Sequence, residues 1–258
     1  ILTGVPTMFL KLLGEKTFVN GDLSALKDVY VGGDSVPDKL IEDFNAALKR
    51  GGSNARMYVG YGLTETVTVC LVNTRAHHAA GSIGYPLSNT AVRIYEEGKI
   101  LPPDEVGEIY LDTDQFMLGY LEEGSSPFAE IDGRKWLKTG DYGWLDKEGF
   151  LYFKQRIKNM IKVSGVPVYP SEVEAAVLTV PGVKKACAVG MADSVRGQSV
   201  KLFVEPEEGE EPDALKAKIL SVCREKLIAY AVPRVIEVRE KLPVNLIGKI
   251  DRRALEES

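Results

Sequence analysis

The spacing of apolar residues changes twice along this chain, and each change limits what that segment can fold into. Residues 36–50 place apolar side chains at helical spacing, between strand-like runs at 28–31 and 55–59. Strand–helix–strand order is typical of a parallel sheet. From about 81 to 153, short alternating runs separated by turn residues favour antiparallel sheet, in the form of a distorted barrel. From residue 156 onward, strands mixed with two longer helices predict a small α+β unit.

Local signals set the expected helix boundaries. Ser35 is a candidate cap for the first long helix, with Pro37 in its first turn and Gly51 at its end. Ser171 and Glu174 have the spacing of a capping box, which predicts that a second helix begins there and ends before Pro181. Further along the chain the pattern predicts strands at 184–189, 199–204 and 234–238 and a helix at 213–230.

Composition narrows the class of protein. The chain has 258 residues, 45% of them hydrophobic, which suits one large or two smaller domains. Its net charge of −5 is unlike the basic footprint of a nucleic-acid binder, so no nucleic-acid partner is expected. Cys70, Cys187 and Cys223 are too scattered for a metal site or a disulfide framework, which favours a reducing, cytoplasmic location. No apolar run has the roughly 20 residues of a transmembrane segment.

The chain starts at Ile1 without an initiator methionine or a basic signal region. We therefore expect this sequence to be part of a longer protein. The expected internal division lies between residues 155 and 156, where the style of patterning changes.

Seven short segments, in order, carry a resemblance to a known family. They are Val31-Gly32-Gly33-Asp34-Ser35-Val36-Pro37, Tyr61-Gly62-Leu63-Thr64-Glu65-Thr66, Phe116-Met117-Leu118-Gly119-Tyr120, Lys138-Thr139-Gly140-Asp141, Arg156-Ile157-Lys158-Asn159-Met160-Ile161-Lys162, Gly165-Val166-Pro167-Val168-Tyr169-Pro170-Ser171-Glu172-Val173-Glu174, and Gly248-Lys249-Ile250-Asp251-Arg252-Arg253. Together they resemble the C-terminal half of the adenylate-forming enzymes, and most closely the acyl-CoA synthetases.

The resemblance implies a fold and a reaction. Residues 1–155 would be the C-terminal portion of a large AMP-binding domain, with α/β and antiparallel parts, and residues 156–258 a small mobile α+β lid. A carboxylate would attack the α-phosphate of ATP to give an acyl-adenylate and pyrophosphate. The thiol of coenzyme A would then displace AMP, after the lid has rotated. The implied cofactors are ATP/AMP, Mg²⁺ and coenzyme A, and the implied substrate is a small carboxylic acid, such as a fatty acid.

The resemblance also assigns roles in the large domain. Tyr61 would stack on adenine, Thr64 would contact phosphate oxygen, and Glu65 would coordinate Mg²⁺, a cation that prefers oxygen ligands. Asp141 would bind the ribose hydroxyls. Without the resemblance, Tyr61, Thr64 and Glu65 fit an ordinary loop after a strand, with Tyr61 as a packing residue. Asp141 then fits an ordinary aspartate in a turn.

Gly33 and Asp34 fit two roles that are compatible with each other. As family residues they would lie against the adenine, where glycine allows a close backbone approach. As an isolated turn they would lead into the following helix, with Asp34 or Ser35 as its cap.

In the lid, Arg156 would lie near ribose and phosphate, and Lys158 would be the hinge. Ser164 and Gly165 would line the pantetheine tunnel, unless they form a simple turn. Lys249 would bridge the substrate carboxylate and the α-phosphate during adenylation. The alternative for Lys249 is a solvated basic tail shared with Arg252 and Arg253. We reject a catalytic role for the pair His77-His78, because no partner carboxylate or cysteine spacing supports one.

The family's glycine-rich phosphate loop does not occur in these residues, so we expect this polypeptide to be inactive by itself. Two other functions stay open at this point. One is an adenylation domain that loads the pantetheine of a carrier protein. The other is a non-catalytic truncation that binds nucleotide.

Overall fold

The computed structural model describes residues 1–121, 126–245 and 249–258. The chain divides into two compact units, Ile1–Phe153 and Lys154–Ser258, each with a buried core of its own. The division expected from the sequence lies two residues further along the chain.

The first unit begins with a five-stranded sheet in the order β1-β2-β3-β4-β5. Its strands are β1 (Leu2–Gly4), β2 (Val29–Val31), β3 (Met57–Gly62), β4 (Val69–Val72) and β5 (Tyr85–Pro86), and its helices are α1 (Pro6–Gly14), α2 (Lys16–Val19) and α3 (Asp38–Arg50). β2 and β3 are parallel, as predicted, β1 is a further parallel strand that was not predicted, and β4 and β5 are antiparallel additions. The helices bury Phe9 and Phe44 edge to face, 5.0 Å between ring centroids, against β2 and β3.

The predicted cap of α3 is wrong. The helix begins at Asp38 with Pro37 at the N-cap position, and no side chain caps it. The Asp34 carboxylate instead accepts a hydrogen bond from the Ser35 amide at 2.8 Å, which closes the turn before the helix. Because Pro37 fixes its own φ near −65°, it starts the helix without a hydroxyl cap. The predicted end at Gly51 is confirmed.

The second part of this unit is an antiparallel sheet, as expected. Its strands are β6 (Thr90–Glu96), β7 (Lys99–Ile100), β8 (Gly107–Thr113), β9 (Phe128–Ile131), β10 (Arg134–Leu145) and β11 (Leu151–Arg156), in the order β11-β10-β8-β6-β7, with β9 beside β10. The register of β10 against β8 shifts between Lys138 and Tyr142. This irregularity lets residues 139–141 leave the regular ladder, and it places Asp141 at a bend in the strand.

The second unit is a five-stranded sheet with helices on both faces. It contains β12 (Ile161–Val163), β13 (Val166–Val168), α4 (Pro170–Leu178), β14 (Val183–Asp193), β15 (Gly197–Pro206), α5 (Pro212–Lys226), β16 (Val235–Val238) and α6 (Arg252–Glu256). The order is β13-β12-β15-β14, with β16 parallel to β15. α5 is shorter than the predicted 213–230, because residues 228–231 form a separate turn.

Alternation along β15 builds two different faces. Val200, Leu202 and Val204 pack with α4 and α5, whereas Phe203 packs on the other side with Leu242 and with Leu255 of α6. Successive side chains of a strand point to opposite faces, so one strand supports both layers. Ile250, the residue after Lys249, packs against this second cluster, in which Phe203 is fully buried.

The predicted capping box of α4 is also wrong. Pro170 occupies the first helical position and Tyr169 is the N-cap, which moves the start one residue ahead of Ser171. The Ser171 hydroxyl donates to the Lys154 carbonyl at 3.0 Å instead of capping the helix. Glu174 is then free of its predicted capping role, and its carboxylate accepts from the Ala188 amide of β14 at 2.9 Å.

Glu205 is a buried carboxylate on the same face of β15 as Phe203. It accepts from the Leu242 amide at 3.0 Å and pairs with Lys184 at 2.9 Å and Lys185 at 3.1 Å. Burial by itself would raise its pKa. The Leu242 amide and the two ammonium groups outweigh burial and lower the pKa of Glu205 to about 2.

Among the described residues, none of the helices combines the length and the apolar character needed to cross a bilayer.

We predict that Glu205→Gln lowers the free energy of unfolding of the second unit by about 2 kcal/mol at pH 7. The depressed pKa means that the ionised carboxylate stabilises the fold at pH values above its unfolded pKa, which is roughly 4.3. That stabilisation is lost as the pH falls towards 2. The difference between the two proteins should therefore shrink between pH 5 and pH 2. Hydrogen–deuterium exchange of the β14 and β15 amides measures it in this unit, and Glu207→Gln, an exposed neighbour, is the control. A difference that stays constant with pH would contradict the ionic origin.

Candidate functional site

The loop after β3 is held by a buried hydroxyl. Thr66 ends a single 3₁₀ turn, Thr64–Thr66, and is fully buried. Its Oγ1 accepts from the Leu63 amide at 3.0 Å and lies 3.0 Å from the Leu63 and Thr68 carbonyl oxygens. These contacts fix the backbone on both sides of Thr64 and Glu65. The two predicted site residues thus lie on a rigid turn, with Thr64 exposed and Glu65 half-buried.

Val67 closes this loop in a strained conformation. Its φ of 63° and ψ of −39° are unusual for a β-branched residue. The Thr68 amide donates to the Thr66 carbonyl at 2.6 Å across it, which makes a γ-turn of the rare, positive-φ kind. Strain of this sort is retained where the surroundings fix the backbone, and it is concentrated at functional sites.

Tyr61 and Asp141 meet although they lie 80 residues apart. The Tyr61 hydroxyl donates to Asp141 Oδ2 at 2.7 Å, and Asp141 is 1% exposed. The Asp141 amide donates to Thr139 Oγ1 at 3.1 Å, and that hydroxyl lies 2.7 Å from the Ile109 carbonyl of β8. Gly140 between them has a φ of 68°, which a residue with a side chain adopts only at a cost. The bond joins the end of β3 to the irregular part of β10.

Burial and the adjacent Asp141 carboxylate raise the pKa of Tyr61 well above its usual value. The phenol is therefore a neutral donor throughout the physiological range. It orients a carboxylate that the fold has almost entirely removed from water.

Glu65 has a partner that the sequence reasoning missed. The Tyr120 hydroxyl donates to Glu65 Oε1 at 2.5 Å, and the Met117 amide donates to the Glu65 carbonyl at 2.9 Å. The hydrogen bond to Glu65 raises the pKa of Tyr120. The segment Phe116–Tyr120 marked the family resemblance but had no assigned chemistry. The only hint in the sequence was that this segment is one of the seven that carry the family resemblance. The structure shows that Met117 and Tyr120 of the segment hold Glu65 in place.

Gly33 and Asp34 lie on an exposed turn after β2. Gly33 has a φ of 79°. At Gly32, a β-carbon would lie 2.6 Å from the Gly60 carbonyl oxygen of β3, so only glycine allows this close approach. The close packing of β2 against β3 therefore explains the glycine at position 32 without any ligand. The nucleotide roles of Gly33 and Asp34 stay predictions.

The second unit holds the other predicted residues. Arg156 ends β11, a strand whose last three residues belong to the second unit, and Lys158 lies in the single 3₁₀ turn Ile157–Asn159. Ser164 and Gly165, with φ values of 52° and 80°, form the two-residue turn between β12 and β13. Two positive φ values in succession are typical of a type I′ hairpin turn. The Ser164 amide donates to the Arg196 carbonyl at 2.8 Å, so this turn lies against the β14–β15 turn.

Lys249 lies on a short hairpin. Val244 and Ile250 form an antiparallel bridge, and the Asp251 amide donates to the Pro243 carbonyl at 2.8 Å. The Asn245 amide donates to the Lys249 carbonyl at 2.8 Å, and Asn245 Oδ1 accepts from the Lys249 amide at 3.0 Å. We call residues 243–245 and 249–251 the Lys249 hairpin. The neighbouring Gly248 and Ile247 lie outside the described residues.

His77 and His78 are packing residues on the first unit's surface. The His77 ring stacks on Phe150 at 4.6 Å between centroids and meets Tyr85 edge to face, and His78 lies against Tyr58. Within the described ranges, no group of three or more His, Cys, Asp or Glu side chains could hold a metal ion.

Two family profiles match the chain. The profile of the AMP-binding enzymes matches residues 1–121, and that of their C-terminal domain matches residues 172–249. The order of the two matches is the order of the two units. The chain belongs to the AMP-binding enzyme family.

Relatives of this chain include acid–CoA ligases. A long-chain-fatty-acid–CoA ligase of Escherichia coli O6:H1 is 37% identical over 256 residues, which cover 98% of this chain and 44% of that protein. A feruloyl-CoA synthase of Amycolatopsis sp is 34% identical over 253 residues, 97% of this chain and 50% of that protein. The chain thus spans about half the length of the relatives it matches.

A solved structure shows the same fold. The o-succinylbenzoate coenzyme A synthetase of Bacillus subtilis, in complex with ATP and a magnesium ion, superimposes with a TM-score of 0.79 at 29% identity. The match covers 99% of this chain and 51% of that one. The adenylate-forming fold expected from the sequence is confirmed.

We predict that Tyr61→Phe lowers the free energy of unfolding of the first unit by about 1–3 kcal/mol, because it removes a hydrogen bond from a buried carboxylate. Both tryptophans, Trp136 and Trp144, lie in this unit, so urea unfolding followed by tryptophan fluorescence reports the change. Tyr30→Phe is the control, since Tyr30 has no hydroxyl hydrogen bond among the described residues. It should stay within about 0.5 kcal/mol of the unaltered protein. Equal effects of the two substitutions would show that the Tyr61–Asp141 bond contributes nothing special.

Proposed function

We propose that this chain is the C-terminal half of an AMP-forming acyl-CoA ligase. The complete protein would convert a carboxylic acid and ATP to an acyl-adenylate and pyrophosphate, and then transfer the acyl group to coenzyme A with release of AMP. The family membership of both units supports this activity, as do relatives that are named as CoA ligases. A fatty acid or another acyl acid is the proposed substrate class.

The observation that carries the proposal is the meeting of Tyr61 and Asp141. A nucleoside needs a flat surface for its base and acceptors for its ribose hydroxyls. Tyr61 offers an aromatic ring, and the carboxylate bound to its hydroxyl offers oxygen acceptors. A carboxylate that binds ribose hydroxyls is a recurring solution in nucleotide sites. We assign adenine stacking to Tyr61 and the ribose contact to Asp141, with Gly33 and Asp34 beside the base.

Glu65 fits a magnesium ligand. Mg²⁺ is commonly held by one or two carboxylates together with the phosphates of a nucleotide and with water. Glu65 supplies one carboxylate, oriented by Tyr120, on the turn that also carries Thr64. When bound, the ion would offset charge on the phosphates. Thr64 would donate its hydroxyl to a phosphate oxygen.

The second unit supplies the residues proposed for the two steps. Lys249 would place its ammonium group between the substrate carboxylate and the α-phosphate and stabilise the charge that develops there. The exposed turn at Ser164 and Gly165 would lie along the pantetheine arm of coenzyme A in the second step. Lys158 is the proposed hinge, and Arg156 the proposed contact to ribose and phosphate.

We predict that the 258-residue chain alone releases no pyrophosphate from ATP in the presence of fatty acids. It has no glycine-rich phosphate loop, and backbone amide groups of such a loop bind the phosphates in many nucleotide enzymes. The assay is pyrophosphate release with a panel of acids, and the full-length protein is the positive control. Robust turnover by the chain alone would contradict this prediction.

In the full-length protein, Lys249→Ala should slow adenylate formation by about 100-fold or more, since it removes a preorganised charge from the transition state. The transfer of a preformed acyl-adenylate to coenzyme A should change little. Acid-dependent exchange of pyrophosphate into ATP measures the first step, and acyl-CoA formation from synthetic acyl-adenylate measures the second. Lys241→Ala, an exposed lysine near the same hairpin, is the control. Unimpaired adenylation in Lys249→Ala would overturn the proposed role.

A further inference from the structure

We propose that Arg252 is a positioning residue for Lys249, and that it acts through its ion pair with Glu174. The inference rests on the proposed function of Lys249. It adds a residue that the sequence reasoning grouped with a solvated basic tail.

Arg252 ties the end of the chain to the sheet. Its Nη2 lies 2.7 Å from Glu174 Oε1, and its Nη1 donates to the Ala188 carbonyl. The same Glu174 oxygen accepts from the Ala188 amide at 2.9 Å. β14 ends the strand order of this sheet. The two side chains therefore bind both main-chain groups of one residue on that strand, as a neighbouring strand would.

The Lys249 hairpin is also held at its other end. The Leu242 amide donates to the buried Glu205 carboxylate at 3.0 Å. The Leu242 and Leu255 side chains are 4% and 0% exposed, and they pack with Phe203. One buried carboxylate thus fixes the chain just before the hairpin, and Glu174 fixes it just after, through Arg252.

The charge balance explains why this pair is a firm anchor. The side chains of Arg252 and Glu174 are 23% and 19% exposed. Burial alone would lower the pKa of Arg252, but the Glu174 carboxylate outweighs burial and raises it. Removal of one partner would leave the other charge partly buried and unmatched, which is costly. The planar guanidinium reaches two acceptors at once, and a lysine ammonium cannot reproduce that fork.

The distance along the chain makes the anchor relevant to Lys249. Arg252 lies three positions after Lys249, which is at most about 10 Å of extended chain. A shift of roughly 1 Å in a catalytic group is enough to lower a rate by about 100-fold. The next residue provides a natural contrast. The side chain of Arg253 is 87% exposed and pairs with Glu257 one turn later, so within the described part of the chain its ion pair stays local to α6 and the residue that follows it.

The test uses the two half-reactions of the full-length protein. Arg252→Ala should slow adenylate formation by about 10- to 100-fold, mainly in kcat, and leave thioester formation from preformed acyl-adenylate within about twofold. Arg252→Lys should fall between this variant and the unaltered enzyme. Arg253→Ala, the matched control, should change neither step. In the Lys249→Ala background, Arg252→Ala should add less than about a twofold further loss, because both changes remove one effect.

The outcomes separate the inference from the proposed function. Equal slowing of both half-reactions, or additive losses in the double variant, would show a general structural role and overturn the inference. Normal adenylation in Arg252→Ala, with strong impairment in Lys249→Ala, would overturn the inference alone. Normal adenylation in Lys249→Ala would overturn the proposed function itself. If Arg252→Ala does not fold, Arg252→Lys and Glu174→Gln are compared with the unaltered protein in the same two assays. Hydrogen exchange of the Lys249 hairpin then measures directly whether the ion pair holds it, and faster exchange is expected in both variants.

Discussion

The hydrogen bond from the Tyr61 hydroxyl to the Asp141 carboxylate is the contact on which the proposed site of the first unit depends. It links a strand of the mixed first sheet to the irregular stretch of the antiparallel sheet. Neither residue can move without disturbing a core, because Tyr61 packs against the cluster around Leu71 and Ile109 and Asp141 is buried. The fold itself thereby holds an aromatic ring and a carboxyl group next to each other, and preorganisation of this kind lowers the cost of binding a ligand.

The second unit also contains carboxylates that are shielded from water and held by hydrogen bonds. Glu205 is buried and pairs with two lysines, and Glu174 is largely buried and pairs with Arg252. Each carboxylate also accepts from a main-chain amide. Both lie beside the chain that carries Lys249. A carboxylate buried in this way contributes stability only if every partner is present, so it fixes the local backbone as well as the fold. The buried Thr66 hydroxyl and the bond from Tyr120 to Glu65 hold the loop after β3 in a similar way.

Much of the secondary structure could be predicted because its signals are local. The apolar face of α3 and its glycine end, the parallel pair β2 and β3 and the antiparallel style of β6 to β11 follow from periodicity and turn residues. The two helix starts could not be predicted in the same way. Ser35 and Ser171 have the right chemistry for caps, but the prolines at 37 and 170 begin the helices, and the Ser171 hydroxyl donates to the Lys154 carbonyl instead.

The sequence by itself determined the family, the order of the two units and the identity of the residues proposed for the site, since the seven segments and their order are a property of the chain alone. The tertiary structure decided which of those residues meet. The pairing of Tyr61 with Asp141, of Glu65 with Tyr120, and of Arg252 with Glu174 spans 55 to 80 residues in each case. Such partners are selected by how sheets and helices pack, and a one-dimensional pattern carries no information about contacts at that separation. For the same reason the sequence could not distinguish Arg252 from Arg253. In the fold, Arg252 forms an ion pair with Glu174 of α4, whereas the side chain of Arg253 is exposed.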